Sequence, residues 1–329
     1  MPYVLAVALN AAVDTTLTIP EPLTPGETHK ADSVLKLPGG KGINVARVLH
    51  TLGVPVRVTG LVEGPAGEFI KNGLAGAGID ATFLPIAGES RTCNAVVEDE
   101  SHRVTEINEP GLTISNEEAE AFLDFYERLL PEALAVVLSG SLPPGLPDDY
   151  YVPLIHLASM AGRPVFLDTS GLALLPAIAA RPLLVKPNAT EIAQFIGREM
   201  RDLEDVVRAG KGIRKRGAHM VAITRGEQGA VLVTGRGTWL AQVNVSNSLS
   251  SVGSGDAFIA GFIAGLHDAV EKRGRGSLSI ALAVVDTLLE ALVLAVACGA
   301  ANTLHVGAGV LAPEDVERLR QMVNITVIE

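Results

Sequence analysis

Aromatic residues are scarce in this 329-residue chain, at 4%, with a single tryptophan. Its core must therefore be built from Ala, Val, Leu and Ile, as in buried parallel strands and the helices that cover them. Cysteine is nearly absent: Cys93 and Cys298 lie far apart, which excludes a disulfide scaffold and suits a reducing compartment. Charge is sparse too, at 19% against 48% hydrophobic residues and a mean hydropathy of +0.33, which excludes an intrinsically disordered chain. There is no basic excess. Lys and Arg number 26 against 37 Asp and Glu, a net charge of −11, which argues against a nucleic-acid partner. Long apolar runs are missing as well. The most apolar stretch, Thr287–Leu304, is interrupted by Glu290, and the charge-free remainder is shorter than the roughly 18 residues a membrane span needs. It reads as a buried helix. The opening MPYVLAVALNAAVD has no basic flank and soon meets Asp14, unlike a signal peptide. These absences predict a cytoplasmic protein with no membrane segment. The seven histidines, His29, His50, His102, His156, His219, His267 and His305, have no metal-ligand spacing. No GxxxxGK[ST] loop, no GxGxxG after the first strand and no GxSxG elbow occurs.

What the chain does have is glycine, 34 residues of it, and a regular rhythm. Tyr3–Leu9 predicts a buried strand. Thr15–Ile19, Thr28–Leu37, Arg91–Glu98 and Arg103–Ile107 alternate polar and apolar residues and predict strands with one wet face. Ala81–Pro85 reads the same way. Ile43–Leu52 and Glu68–Ala77 predict helices flanking a strand at Val54–Leu61. Ser115 with Glu118 spells a capping box, and from there strands and helices alternate. A hairpin is expected at Ala230–Val233 and Thr238–Val243, and the last helices at Asp256–Leu266 and Leu278–Leu304. The length allows two domains or one large one. The pattern predicts an α/β fold, a doubly wound sheet between helices, with residues 15–37 and 90–107 forming a small separate β-sheet lid.

Two segments carry the chemistry. Val252-Gly253-Ser254-Gly255-Asp256-Ala257-Phe258 runs straight into an apolar helix. Small residues at a helix start let backbone N–H groups approach an anion, and the helix dipole adds positive charge. Asp256 in the first turn could simply suit that dipole. The sharper reading is a general base that takes a hydroxyl proton while the amides hold a transferring phosphoryl group. Pro38-Gly39-Gly40-Lys41-Gly42-Ile43-Asn44-Val45-Ala46-Arg47 brackets a lysine with glycines before a helix, a plausible cradle for a sugar or phosphate.

Together these segments resemble the ribokinase-like (PfkB) family of sugar kinases, and the likeness extends over nearly the whole chain. Asn10-Ala11-Ala12-Val13-Asp14 is similar to the family's N-P-(A/S)-x-D opening, with Ala11 for the usual Pro. Ser139-Gly140-Ser141-Leu142-Pro143, Asp168-Thr169-Ser170-Gly171, Lys186-Pro187-Asn188-Ala189-Thr190-Glu191 and Thr224-Arg225-Gly226-Glu227-Gln228-Gly229-Ala230 resemble further family segments in order. Ser250-Ser251 stands where the family often has Asn followed by Ser or Thr. The resemblance implies a single kinase domain over residues 1–329, with ATP and Mg²⁺ as cofactors. It implies that Asp256 is the base and that Gly253, Ser254 and Gly255 form the anion hole. Asp14, Gly39, Gly40, Lys41, Asn44, Arg91 and Ser139 would bind the sugar substrate. Lys186, Asn188, Thr224, Gly226, Gly229 and Asn302 would bind the nucleotide, and Glu191 would act on Mg²⁺ through water.

Arg91-Thr92 on a lid strand, facing a Lys-bearing glycine loop, suggests a clamp for a phosphate already on the sugar. It could equally be a solvated strand charge. Lys30 is a further candidate contact. Thr105–Gly111 and the lysine in GGKGIN resemble the branch that phosphorylates sugar phosphates. That implies a 1-phosphofructokinase activity, with tagatose-6-phosphate kinase and 6-phosphofructokinase as alternatives. A sugar-phosphate sensor on the same fold and a nucleoside or plain-sugar kinase are the rival readings. The family likeness also implies a homodimer through the lids.

Overall fold

The computed structural model describes residues 2–101, 103–272 and 284–329. His102 and the start of the predicted helix Leu278–Leu304 lie outside the described residues. In chain order the strands are β1 Tyr3–Ala8, β2 Ala12–Ile19, β3 Ser33–Gly39, β4 Val56–Val62, β5 Asp80–Pro85, β6 Arg91–Glu98 and β7 Val104–Asn108, then β8 Ala133–Ser139, β9 Val165–Asp168, β10 Leu184–Val185, β11 Met220–Thr224, β12 Ala230–Val233, β13 Thr238–Gln242 and β14 Asn324–Val327. Ten of them make one sheet in the order β14-β13-β12-β11-β10-β9-β8-β1-β4-β5. Seven adjacent strands, from β11 to β5, pair in parallel, and the hairpin β12–β13 and the edge β14 add antiparallel strands.

Both faces of this sheet are covered, and β1 shows why its sequence is apolar throughout. Val4, Ala6 and Ala8 face one buried cluster, with Ile43, Phe262 and Leu292. Tyr3, Leu5, Val7 and Leu9 face the other, with Phe122, Tyr126 and Leu154. A strand buried on both sides has no place for polar alternation.

The helices are α1 Lys41–Thr51, α2 Gly64–Gly76, α3 Asn116–Glu127, α4 Tyr151–Met160, α5 Leu174–Ala179, α6 Ala189–Ile196, α7 Leu203–Arg216, α8 Ser254–Lys272, α9 Val285–Asn302 and α10 Pro313–Arg320. α3 starts at the expected capping box: Ser115 Oγ accepts from Glu118 N at 3.2 Å, and Glu118 Oε2 accepts from Ser115 N at 2.9 Å. α9 is long and apolar enough, by length and composition, to cross a membrane. In this fold it is a core helix against α8. Gly261 and Gly265 of α8 allow that approach, since a Cβ there would lie 2.9 Å from Ala295 Cα and 2.6 Å from Ala291 Cα.

The remaining strands form a separate four-stranded sheet, β3-β2-β6-β7, as the half-wet patterns predict. The further exposed strand expected at Ala81–Pro85 is β5, half-buried with exposed ends, and it pairs in parallel with β4 at the edge of the large sheet. The crossover through α2 returns the chain there, and a half-wet pattern suits an edge as well as a small sheet.

Candidate active site

The carboxyl ends of the parallel strands open into one cavity of about 940 Å³. In an open α/β sheet this is where ligands bind. The small sheet walls one side. Strand register puts Asp14, Cys93 and Asn108 in one row and Thr16, Ala95 and Glu106 in the next, and all six line the cavity. The other end is walled by Val243, Val245, Phe258, Val296 and Ala300.

Asp256 lies in the first turn of α8 and is 4% exposed. The loop before it needs glycine. Gly253 has φ +81°, and a Cβ there would sit 2.6 Å from both Ala308 Cα and Gly309 N. At Gly255 a Cβ would sit 2.9 Å from Lys186 Nζ, so glycine there makes room for an ammonium beside the helix start. Asp256 Oδ2 accepts from Asn44 Nδ2 at 2.9 Å. Burial pushes the Asp256 carboxyl up to about 7, with Asp168 adding to the rise, against the pull of Lys41, Asn44 and Lys186. A carboxylate near neutrality is suited to accepting a proton.

Asp168, fully buried at the end of β9, is the hub of the charges. Lys41 Nζ donates to its Oδ1 at 3.2 Å. Lys186 Nζ lies 3.1 Å from its Oδ2 as an ion pair, off hydrogen-bond geometry. Burial alone would raise the Asp168 carboxyl, but Lys186 and Lys41 hold it below its ordinary value. Burial works against the charge on Lys41, yet Asp168, Asp256 and Glu191 outweigh it and raise its pKa. Sequence reasoning quoted Asp168 within a motif but gave it no role, because its partners come from α1 and from the residue after β10.

Asn188 and Glu191 form a capping box at the start of α6. Glu191 N donates to Asn188 Oδ1 at 2.7 Å, and Asn188 N donates to Glu191 Oε2 at 2.8 Å. Glu191 Oε1 faces Lys41 Nζ at 3.8 Å. Among the described residues no group of three or more His, Cys, Asp or Glu could hold a metal by itself. One outward carboxylate oxygen in a cavity fits Mg²⁺, which takes one or two carboxylates and completes its shell with phosphates and water.

The structure brings most of the expected site residues together. Asp14, Gly40, Lys41, Asn44, Arg91, Ser139, Lys186, Asn188, Glu191, Thr224, Gly226, Gly229, Gly253, Ser254, Gly255 and Asp256 all line the cavity. Ser139 Oγ and Ser254 Oγ are buried there without a hydrogen-bond partner. Burial raises the Asp14 carboxyl, against a hydrogen bond from Gly40 and the charges of Arg47 and Arg91. Arg91 donates from Nε to Asn10 O at 3.1 Å and from Nη1 to Glu109 O at 3.0 Å, which fixes its fork at the cavity wall. Burial pushes the Cys93 thiol up to about 11, which disfavours the reactive thiolate.

Three expected residues stand elsewhere. Gly39 does not line the cavity; a Cβ there would overlap the Asp14 carboxyl, so the glycine makes room for Asp14. Asn302 is fully buried and also outside the lining. Its Nδ2 donates to Val252 O at 2.8 Å and its Oδ1 accepts from Gly309 N at 2.9 Å, which ties two loops together. Lys30 is exposed and does not reach the cavity lining.

Comparison with known proteins gives the family and the fold. The model of the pfkB family carbohydrate kinases matches residues 7–315. Phosphofructokinase-2 from Escherichia coli, solved in complex with fructose-6-phosphate, is 26% identical with a TM-score of 0.82, over 98% of this chain and 99% of that one. The same enzyme is known in a tetrameric inhibited form. Two more distant structures share the fold. A Thermotoga maritima protein described as a possible 1-phosphofructokinase is 24% identical, with a TM-score of 0.84 over 99% of this chain and 100% of that one. Arabidopsis thaliana ribokinase complexed with ribose and ATP is 20% identical, with a TM-score of 0.72 over 97% of this chain and 99% of that one. A family match from β1 to α10 makes this chain a member of the pfkB family of carbohydrate kinases, enzymes that transfer a phosphoryl group from ATP to a sugar hydroxyl.

Proposed function

We propose that this kinase acts on a ketohexose that already carries a phosphate, with fructose 1-phosphate as substrate and fructose 1,6-bisphosphate as product. The observation that carries this reading is that two cations, Lys41 and Arg91, both line the cavity that holds Asp256. A plain sugar needs no such cations, whereas a phosphate dianion suits a forked guanidinium with a point charge nearby. Fructose 6-phosphate is the second reading, favoured by the Escherichia coli relative solved with that compound.

In this reading Asp256 takes the proton of the attacking hydroxyl, with one oxygen held by Asn44. The N–H groups of Gly253 and Gly255 face the transferring phosphoryl group at the positive end of α8, and Ser254, whose N–H donates to Ser251 O at 3.2 Å, adds its unpartnered hydroxyl. Lys186 balances the phosphoryl charge. Asp14, held by Gly40, reads sugar hydroxyls. Asn188, Thr224, Gly226 and Gly229 bound the nucleotide end. Glu191 would hold Mg²⁺ through water, and the ion when bound neutralises phosphate charge. The small sheet acts as a lid of the one kinase domain and excludes water from the reacting groups. Lids of two copies meet in a homodimer. The free thiols Cys93 and Cys298 suit a cytoplasmic enzyme.

The test is an ADP-release assay with fructose 1-phosphate, fructose 6-phosphate, tagatose 6-phosphate and ribose. The highest kcat/KM is expected on fructose 1-phosphate. Equal turnover of ribose would overturn the phosphate clamp, and binding without turnover on every sugar would make the protein a sensor.

A further inference from the structure

Arg47 lies one turn beyond Asn44 on α1 and does not line the cavity. Its Nη1 donates to Asn44 Oδ1 at 3.2 Å and to Ala308 O at 2.6 Å, and its Nη2 donates to Pro38 O. A guanidinium can only donate hydrogen bonds. The Asn44 atom facing it must therefore be the carbonyl oxygen, which turns the amide nitrogen toward Asp256. Without that constraint a flipped amide would set its oxygen lone pairs against the carboxylate. We infer that Arg47 is a positioning residue for phosphoryl transfer: it locks the Asn44 amide so that Asp256 keeps a donor on Oδ2 and accepts the substrate proton on its other oxygen. The inference rests on the reading of Asp256 as the base.

The same guanidinium reaches the other side of the α8 start. It holds Ala308 O, and the neighbouring Gly309 N is bound to Asn302, whose amide holds Val252 O. Pro38, its third acceptor, lies next to the end of β3. One side chain thus links α1, the root of the small sheet and the loop packed on Gly253. Arg47 is itself coupled through space to Asp256 and Asp14, and the other charges facing Asp256 are Lys41 on α1, Asp168 at the end of β9 and Lys186 after β10. None of these touches the Asn44 amide in the way Arg47 does.

The test compares Arg47→Met, Arg47→Lys, Asn44→Ala and the Arg47→Met/Asn44→Ala pair, with Asp256→Asn as control, on the full-length enzyme with saturating fructose 1-phosphate or fructose 6-phosphate and ATP. Arg47→Met is expected to lower kcat by about 10- to 100-fold while KM for ATP stays within about twofold, the sign of an interaction used in the transition state. The acid limb of its pH profile should move up, because Asp256 loses both an oriented donor and a nearby positive charge, and the limb should move further than in Asn44→Ala, where that charge remains. Arg47→Lys should not rescue, since an ammonium lacks the planar fork. The paired variant should be no slower than Asn44→Ala alone, since Arg47 acts through Asn44. Additive losses with an unmoved acid limb would make Arg47 merely structural and overturn the inference. If Arg47→Met fails to fold, Arg47→Gln is read by the same criteria. Near-normal turnover by Asp256→Asn would instead sink the base assignment, so the two failures are distinguishable.

Discussion

The burial that makes Asp256 useful also makes it costly. A carboxyl raised to about 7 accepts a proton readily at neutral pH, but its charged form is poorly solvated. Two consequences follow at the residue scale. A base must be deprotonated, so kcat/KM should fall below pH 7, approaching about tenfold per pH unit, rather than near the ordinary carboxylate value. A pH-rate profile with its acid limb near 4 would contradict this. Asp256→Asn should lose about 10²- to 10⁴-fold in kcat with ATP affinity retained. The sign for stability is opposite. The folded pKa lies above the unfolded one, so the ionised group weakens the fold fully above about 7 and not at all below the ordinary carboxylate range. Thermal denaturation at pH 8 should therefore show Asp256→Asn melting above the wild type, with the gap closing toward pH 4. Arg91→Ala belongs to the same scale: KM for the sugar phosphate should rise far more than KM for ATP, and equal effects would contradict the clamp.

At the scale of elements, the turn from Ser251 into α8 is where backbone shape decides function. Gly253→Ala would place a methyl against the backbone of Ala308 and Gly309 in a left-handed conformation. The backbone term alone costs about 1–2 kcal/mol. The loop must also shift, so both the urea midpoint and kcat should fall. A variant with unchanged midpoint and turnover would show that the loop has slack the packing does not suggest. This turn was legible in the sequence because its chemistry is local: small residues, one acid and an apolar helix in contiguous positions. The capping box at Ser115 was legible for the same reason. The Asn188–Glu191 pair was only half legible, since its spacing serves the helix cap as well as the cavity. The Lys41–Asp168–Lys186 cluster was not legible as a cluster, because its members come together only through the order of strands in the sheet. Ala81–Pro85 was legible as an exposed strand, but which strand it pairs with depends on the strand order and was not. Arg47 reads in sequence as an ordinary charged residue on a helix, and only its three acceptors reveal more.

At the scale of the whole molecule, the small sheet has two faces with different chemistry. One carries Asp14, Cys93 and Asn108 toward the cavity. Alternation puts Val34 on β3 and Ile107 on β7 on the opposite face, and they are 54% and 63% exposed. β3 and β7 are also the sheet's two edges. Exposed apolar side chains on open-edged strands are a liability that natural sheets usually cover. A second copy of the same face would cover it by two-fold symmetry, which is the physical basis of the proposed lid dimer. Sedimentation velocity should then find the wild type as a dimer at micromolar concentration. Ile107→Lys should shift it toward monomer without unfolding the large sheet, because β7 contributes no strand to that sheet. A wild type that sediments as a monomer across that range would mean that Val34 and Ile107 face solvent, and the lid would have to close over the cavity unaided.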